Sequence, residues 1–415
     1  LELCPEQRYA LVEPGVVNAD LTTVCKPYGL FFAPDPSSLA ACTLGGNVAE
    51  NAGGIHCLKY GVTTDHLLGM EVILPTGECV WLERPEGYDA LGGGADIDLT
   101  GLWCGSEGTL GVITKLKLAL TPLPTHVGVM LLGFETTLHA TQCIAAIMAS
   151  RILPAAMEFM DALTVQAVNQ AFHMGFPETL EALLLVELDA HDESHFLMQY
   201  QALTEVVKPF APPLYRWETT PEACEGLWKA RKGTVAAYGR FRPAMVVQDT
   251  VIPLETLPEV LAGIQAICEQ YEVLVGNVFH AGDGNLHPNI LLNPQDPDET
   301  QRVLQANEAI IALCLKMGGV LSGEHGIGLE KIAFMNDAFS SEVLACFESL
   351  KRAFDPALRC NPGKMLPSIA KRCGESGCYH INGGSLQHSQ GGIRLKGFPL
   401  SPYRATSETI PFLWI

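Results

Sequence analysis

Runs of apolar residues broken by turn residues divide the chain into two parts of different character. From residue 1 to about 120 the apolar runs are short, glycine-rich turns separate them, and residues 70–82 form a hairpin pattern around Pro75-Thr-Gly-Glu78. From about 125 to 330, helical periods alternate with apolar strands, as at residues 139–150, 183–188, 257–267 and 304–315. This alternation predicts an α+β fold whose second part contains an antiparallel sheet.

Two histidines and an amide occupy a second predicted hairpin. Apolar residues lead up to His280 and continue after His287, and the turn formers Asp283-Gly-Asn285 stand between them. A strand, a turn and a second strand would place the two imidazoles on facing ends of the hairpin. Asn289, two residues beyond His287, would project on the same face.

A glycine-rich loop at residues 322–328 adds a carboxylate and a third imidazole. Two neutral imidazoles and a carboxylate are the usual ligands of zinc or a similar divalent metal, so His280, His287 and Glu324 form a candidate metal set. Adjacent side chains in an extended loop point apart, so we expect His325 to point away from Glu324 and to serve as a general base. The alternatives are core histidines that bond backbone carbonyls and a loop histidine bonded to its own turn.

Clusters of glycine in the first part of the chain indicate a cradle for an anionic cofactor. Without side chains, their backbone amides can approach a phosphate closely, and successive N–H groups in turns form an anion-binding concavity. No cluster has the spacing and context of a nicotinamide-binding Rossmann motif, so the pattern favours another dinucleotide site, with plain tight turns of a β-rich domain as the alternative. The clusters lie at residues 44–47, 51–54, 60–61 and 104–111.

Composition narrows the class of protein. The 415 residues are 48% hydrophobic and 17% charged, which suits two or more globular domains, and the formal net charge of -20 disfavours nucleic acid or an anionic membrane surface as main partner. No apolar run reaches the length of a membrane span, and the start lacks the features of a signal peptide, so we expect a cytoplasmic protein. The cysteines are scattered without a C-x-x-C motif, which indicates mainly core residues.

A local cation for an acidic substrate is available in residues 227–233. Arg231 can hold a carboxylate in a bidentate fork there, whereas Lys229 and Lys232 can act only as point charges. On composition alone, the same residues also suit an ordinary basic face of a helix.

A series of short motifs then points to one family. They are Val12-Glu-Pro-Gly-Val16, Gly45-Gly-Asn47, Asn51-Ala-Gly-Gly54, Tyr60-Gly61, Gly105-Ser-Glu-Gly-Thr-Leu-Gly111, Trp228-Lys-Ala-Arg231, His280-Ala-Gly-Asp-Gly-Asn-Leu-His287, Gly323-Glu-His-Gly-Ile-Gly328 and Asn361-Pro-Gly-Lys364. In this order they resemble the FAD-linked oxidases of the vanillyl-alcohol oxidase type, in the branch of the glycolate oxidase subunit GlcD and D-lactate dehydrogenase. The resemblance spans about residues 8–367. It implies an FAD-binding domain of the PCMH type at residues 1–122 and an α+β cap domain at residues 123–367.

The resemblance also implies a role for each candidate residue. Arg231 would hold the carboxylate of a 2-hydroxy acid, glycolate or D-lactate, with Asn289 and His325 facing this substrate, and hydride would pass to the flavin N5 to give the 2-oxo acid. A divalent metal such as Zn, Mn or Fe would be held by His280, His287 and Glu324. The FAD would be held by Gly45, Gly46, Asn47, Gly53, Gly54, Tyr60, Gly61, Gly105, Ser106, Glu107, Gly108, Thr109, Gly111, Val112, Ile113, Asn361 and Lys364.

Partner subunits are a further implication of the resemblance. A GlcE-like subunit and an iron–sulfur GlcF-like subunit would accept the electrons, because this chain has no cluster-binding cysteine spacing. Through such partners, a cytoplasmic protein would attach peripherally to the inner membrane.

Two features depart from the pattern of this family. The first phosphate loop, normally upstream of Val12-Glu-Pro-Gly15, is absent, so we expect the chain as written to bind FAD weakly or not at all. Residues 368–415 show no amphipathic period, which predicts disorder or a sequence that is out of frame. Two alternatives therefore stay open, namely a catalytically inert scaffold subunit of a dehydrogenase complex and a flavin-free, metal-dependent hydrolase.

Overall fold

Antiparallel strands organise the computed structural model, which describes residues 1–85 and 97–367. The strands are β1 Glu2–Cys4, β2 Tyr9–Val12, β3 Leu30–Phe31, β4 Leu67–Ile73, β5 Cys79–Glu83, β6 Val112–Ala119, β7 Thr121–Pro122, β8 His126–Phe134, β9 Ala156–Asp161, β10 Ala182–Ala190, β11 Leu214–Glu218, β12 Ala244–Val247, β13 Thr250–Val251, β14 Leu274–His280, β15 Asn285–Leu286 and β16 Pro288–Leu292. The tail predicted at residues 368–415 lies outside the described residues.

Helices of very different lengths connect and cover these strands. They are α1 Asn18–Cys25, α2 Leu44–Glu50, α3 Cys57–Tyr60, α4 Leu99–Trp103, α5 Thr137–Ala149, α6 Ala162–Phe172, α7 Glu193–Val207, α8 Pro221–Lys232, α9 Thr234–Tyr238, α10 Leu257–Gln270, α11 Pro297–Lys316, α12 Met335–Ala338 and α13 Ser341–Phe354. In the part of the chain that the structure describes, none of them is long and apolar enough to cross a membrane.

The first sheet has five strands in the order β1-β2-β6-β4-β5. β4 and β5 form the predicted hairpin around residues 75–78, with Met70 opposite Leu82. Apolar side chains of β4 and β6, including Met70 and Leu116, pack against α1, α2 and α4 in one core. This unit contains all the glycine clusters of the first part of the chain.

The second sheet has nine strands and is covered by helices on both faces. Its order is β11-β8-β10-β9-β14-β15-β13, and β16 pairs with both β14 and β12. One face packs against α5, α7, α10 and α11, and the other packs against α6, α8 and α9. β10 is therefore buried along its whole length and is almost entirely apolar, as a strand covered on both faces must be.

Alternation along β9 and β14 determines which side chains reach the site. Phe159 and Phe279 stack in the first of these two cores, with ring centroids 4.7 Å apart. Their neighbours Glu158 and His280 therefore lie on the opposite face, the one covered by α8.

These observations confirm the predicted α+β class and its antiparallel cap sheet. The helices predicted at residues 139–150, 257–267 and 304–315 correspond to α5, α10 and α11, and the strand predicted at 183–188 lies within β10. α5 and α11 begin at polar capping residues, Thr136 and Asp296, whose side chains accept backbone N–H groups of the first turn.

Candidate active site

The histidine hairpin, residues 274–292, brings two imidazoles together at its turn. β14 and β16 pair antiparallel, with Gly276 opposite Asn289, which confirms the strand, turn and strand predicted from the sequence. His280 ends β14, and His287 immediately precedes β16. The centroids of the two rings are 5.1 Å apart.

A buried carboxylate that the sequence reasoning did not identify joins this hairpin to α8. Glu158 of β9 stands directly opposite His280 of β14, so the two side chains share one face of the sheet. One carboxylate oxygen accepts a hydrogen bond from His280 Nδ1 at 2.6 Å, and the other accepts one from Arg231 Nε at 2.6 Å. Glu158 is 0% exposed and Arg231 is 7% exposed. This bridge connects the predicted cation to the predicted metal set.

Three imidazoles surround the carboxylate of Glu324. Oε1 lies 3.2 Å from His287 Nε2, 3.6 Å from His280 Nε2 and 3.6 Å from His325 Nε2. The rings of His287 and His325 stack with centroids 5.0 Å apart. The structure therefore brings the three predicted histidines and Glu324 into one cluster.

The direction predicted for His325 was wrong, because the 322–328 loop is bent rather than extended. The buried carboxylate of Asp249 accepts hydrogen bonds from the backbone N–H groups of Gly323, Glu324 and His325, at 3.1, 3.2 and 2.9 Å. The backbone bends here because three successive N–H groups point toward one carboxylate. The side chains of Glu324 and His325 consequently converge instead of pointing apart.

The cluster pairs a carboxylate whose pKa is lowered, Glu324, with two imidazoles whose pKa values are raised, His280 and His325. Burial alone would raise the pKa of Glu324, but hydrogen bonds from His280, His287 and His325 hold it well below its ordinary value. Burial would likewise lower the pKa of His280, but the carboxylate of Glu158 outweighs it and raises that pKa well above the usual value. The pKa of His325 is also raised, because its hydrogen bond to Glu324 and the charge of Asp249 outweigh burial.

Two overlapping donor sets in the cluster have the spacing of metal ligands. His280, His287 and Glu324 place one ligand atom each within 4.8 Å of the others, and so do Asp249, His287 and His325. The oxygens of Asp249, however, already accept hydrogen bonds from the loop amides and from the ammonium of Lys331. The first set, which the sequence predicted, is therefore the better suited to a metal.

The two remaining predicted substrate residues, Arg231 and Asn289, each contact a residue of this site. Among the described residues, Arg231 has Glu158 as its carboxylate partner through Nε, and its Nη1 and Nη2 atoms donate no hydrogen bond to them. Asn289 is buried, and its Nδ2 donates to the carbonyls of His287 and Gly276 at 2.7 and 3.2 Å. Both residues are thus fixed through one part of the side chain.

A cleft of about 440 Å³ lies between two of the glycine clusters. Trp103 lines this cleft, and its buried Nε1 has no hydrogen-bond partner among the described residues. The buried Nδ2 of Asn47 in α2 likewise has none. The lining of the cleft combines small and apolar residues, namely Pro14, Gly15, Thr43, Gly45, Gly46, Ala49, Trp103, Ser106, Gly108, Gly111, Val112 and Ile113.

The glycine cluster at residues 51–61 faces the cap sheet instead. A Cβ on Gly53 would stand 2.7 Å from Glu324 Oε2, so a larger residue here would displace this carboxylate. The Tyr60 hydroxyl donates to Asp189 of β10 at 2.5 Å, and Lys59 forms an ion pair with the same carboxylate. Gly54 and Gly61 also lie in this segment, and its contacts with β10 and Glu324 connect it to the cap sheet.

The predicted cofactor residues near the C-terminus reach the 104–111 glycine cluster. Asn361 Nδ2 donates to the Glu107 carbonyl at 2.6 Å. The Glu107 carboxylate accepts the N–H groups of Ile327 and Gly328 at 2.6 and 2.8 Å, which holds the end of the 322–328 loop. Lys364 follows in the same segment, and none of the described carboxylates lies within ion-pairing distance of it.

Comparison with known families matches almost the whole described chain. Residues 123–365 match the family described as "FAD linked oxidases, C-terminal domain". The chain belongs to the FAD-linked oxidases. Residues 1–83 match the family described as "FAD binding domain".

Two curated proteins and one solved structure illustrate what this oxidase is similar to. It is 41% identical over 386 residues to the glycolate oxidase subunit GlcD of Escherichia coli strain K12, covering 93% of this chain and 76% of that protein. It is 31% identical over 361 residues to the D-lactate dehydrogenase of Anaerostipes hadrus, covering 85% and 75%. The structure of p-cresol methylhydroxylase with substrate bound has a TM-score of 0.71 at 17% identity, covering 88% and 77%, which supports the fold.

Glu158 and Asp249 are the two site residues of this FAD-linked oxidase that sequence reasoning missed. Glu158 lies among apolar residues inside β9, and Asp249 lies between the short strands β12 and β13. A buried acid between apolar residues requires charged or hydrogen-bonding partners, and this requirement was the signal that the sequence offered.

Proposed function

We propose that this FAD-linked oxidase converts a 2-hydroxy acid, glycolate or D-lactate, to the 2-oxo acid. The observation that carries the proposal is the Glu158 bridge, which joins the guanidinium of Arg231 to His280 beside Glu324. A cation and a cluster of proton-accepting groups thus occupy one site, and the neighbouring carboxylate and hydroxyl of a 2-hydroxy acid require both. The similarity to a glycolate oxidase subunit and to a D-lactate dehydrogenase supports the same substrate class.

Arg231 would anchor the substrate carboxylate. Glu158 holds the guanidinium through Nε, and Nη1 and Nη2 make no hydrogen bond to the described residues. Two parallel N–H groups on one edge match the two oxygens of a carboxylate. Asn289, which is fixed through its Nδ2, would present its Oδ1 to the substrate hydroxyl.

His325 would take the proton of the substrate hydroxyl at Nε2, the nitrogen that faces Glu324. Its side chain is 31% exposed, so the proton can pass on to solvent. As the proton leaves, the hydrogen on C2 departs with its electron pair and the C–O bond becomes a carbonyl. Bound FAD supplies the hydride acceptor that the side chains of the chain cannot provide.

The FAD would lie along the 440 Å³ cleft, and the residues present fit it. Small residues allow close approach of the cofactor, and Trp103, a lining residue, has an unpartnered buried N–H that suits an oxygen of the cofactor. The proposed contacts comprise Gly45, Gly46, Asn47, Gly105, Ser106, Gly108, Thr109, Gly111, Val112 and Ile113, with Gly53, Gly54, Tyr60, Gly61, Glu107, Asn361 and Lys364 bordering the flavin end.

A divalent metal, Zn, Mn or Fe, would be held by His280, His287 and Glu324. The donor atoms lie within 4.8 Å of one another, and two imidazoles with one carboxylate suit such a cation. The ion would act as a Lewis acid toward the substrate hydroxyl. Its positive charge would also balance the negative charge of Glu324, in place of the protons on the imidazoles.

GlcE-like and iron–sulfur GlcF-like subunits are proposed as the electron acceptors, with peripheral attachment to the inner membrane through them. The name of the GlcD relative, a subunit of glycolate oxidase, supports this. We also propose the division of the chain at residues 122 and 123, between the strands of the five-stranded sheet and those of the nine-stranded sheet.

Anaerobic reduction of the flavin tests the proposed function. The purified chain is kept in excess FAD, because the sequence predicts weak binding of this cofactor, and is given glycolate or D-lactate without oxygen. We expect the visible absorption of the flavin to be lost, and acetate, which lacks the hydroxyl, to leave it unchanged. Bound flavin that neither acid reduces would contradict the proposal, and metal content without flavin would favour the hydrolase.

Replacing Arg231 by alanine should raise KM for the 2-hydroxy acid roughly 10- to 100-fold, because a hydrogen bond to a charged group contributes about 1.5–3 kcal/mol. The change in kcat should be smaller, since Arg231 binds a group that does not react. Steady-state kinetics measures both values. Lys229→Ala, an exposed change in the same helix, serves as the control, and an unchanged KM for Arg231→Ala would exclude the assignment.

A further inference from the structure

We propose that Glu158 is a positioning residue that fixes the distance between the carboxylate anchor and the histidine cluster, and thereby selects acids whose hydroxyl is on C2. The inference rests on the proposed function and adds to it the physical origin of substrate selectivity. Glu158 itself would touch no substrate. It would act through Arg231 and His280.

The position of Glu158 is rigid. It lies inside β9, which pairs with β10 on one side and with β14 on the other, and it is 0% exposed. Its backbone is therefore held by two ladders, and its fully buried side chain is held by hydrogen bonds at both carboxylate oxygens. A carboxylate held this way makes a fixed reference point.

Each oxygen of the Glu158 carboxylate accepts a hydrogen bond from a different side chain of the site. Oε2 accepts from Arg231 Nε and Oε1 accepts from His280 Nδ1, each at 2.6 Å. Short charge-assisted bonds of this kind fix both distance and orientation. One carboxylate therefore sets the plane of the guanidinium and the plane of the imidazole together.

The bond to His280 directs the other ring nitrogen into the site. With Nδ1 held by Glu158, Nε2 faces Glu324 at a distance of 3.6 Å. The bond to Arg231 similarly leaves the Nη1 and Nη2 edge for a ligand. Outer hydrogen bonds that orient a ligating imidazole commonly change affinity or activity by 10- to 100-fold when they are removed.

Selectivity follows from the chemistry of the substrate. A 2-hydroxy acid carries its hydroxyl on the carbon next to the carboxylate, and a 3-hydroxy acid carries it one carbon further away. An anchor and a histidine cluster at a fixed separation can match one of these spacings only. A misplacement of about 1 Å can lower a rate roughly 10²-fold, so the bridge is sufficient to discriminate.

Glu158→Gln and Glu158→Asp test the bridge. Glutamine presents an NH2 group to one of two donors, and aspartate keeps the charge but is too short to reach both partners. For each variant we measure the Kd of acetate by calorimetry, kcat and KM with glycolate, and the ratio of kcat/KM for glycolate to that for 3-hydroxypropanoate. The expected results are a roughly tenfold weaker binding of acetate and a roughly tenfold lower ratio.

Asp161→Asn is the matched control, because Asp161 is an acid at the end of the same strand. Its carboxylate accepts hydrogen bonds from Thr164 and Asn277 and none from Arg231 or His280. We expect this variant to be less stable while it keeps the acetate Kd and the substrate ratio. A purely structural role of Glu158 would produce the same pattern in Glu158→Gln.

The inference is overturned when either the acetate Kd or the substrate ratio stays unchanged, because loss of the bridge should change both. If Glu158→Gln does not fold, Glu158→Asp decides alone. Failure of the proposed function is distinguishable, because the wild-type protein would then reduce no flavin with any 2-hydroxy acid, whereas the acetate measurement does not depend on turnover.

Discussion

Replacement of His325 by alanine is expected to lower kcat for the 2-hydroxy acid roughly 10²-fold or more, the usual loss when a general base is removed. Nε2 of His325 lies among the groups around Glu324, and its side chain is partly open to solvent, so it can both accept a proton and release it. Arg231 is untouched in this variant, so KM should change little. Stopped-flow measurement of flavin reduction reports the chemical step directly.

The pH dependence supplies a second measurement for His325. Its pKa is raised, because the hydrogen bond to Glu324 and the charge of Asp249 outweigh burial. Only the neutral ring accepts a proton, so the rate should rise as pH increases through this pKa and should lose that dependence in His325→Ala. His195→Ala, an exposed change on α7, provides the control. An unchanged rate of flavin reduction in His325→Ala would exclude the role.

The local parts of the site could be predicted from the sequence, because they depend on short-range patterns. The histidine hairpin follows from two apolar runs around Asp283-Gly-Asn285, and the structure pairs β14 with β16 as expected. The convergence of Glu324 with this hairpin could be predicted from the chemistry of the residues alone. Two imidazoles and a carboxylate suit one divalent metal whatever their positions in the sequence.

The long-range parts could not be predicted, because they depend on strand order. Glu158 contacts His280 only because β9 pairs with β14. The two residues are 122 positions apart along the chain. Sequence periodicity gives the face of a strand but not its neighbour. The error over His325 has the same origin, because a remote carboxylate, Asp249, bends the 322–328 loop.

Replacement of Asp249 by alanine is expected to lower the free energy of unfolding by about 3–5 kcal/mol, the usual effect of breaking one side of a buried ion pair. Its partner Lys331 is only 2% exposed and donates to Asp249 through Nζ. Without the carboxylate, this ammonium would stay buried and uncompensated. Denaturation by guanidinium chloride measures the loss, and Glu71→Gln, in a surface pair with Lys115, should change the free energy of unfolding far less.

The same variant should also open the 322–328 loop, and this local effect separates a site role from general destabilisation. Asp249 accepts the amides of Gly323, Glu324 and His325, so their hydrogen exchange should accelerate in the variant under native conditions. Asp249→Leu combined with Lys331→Leu removes both charges and should restore much of the stability without restoring the loop. A stable double variant with unchanged exchange at these amides would show that Asp249 does not shape the loop.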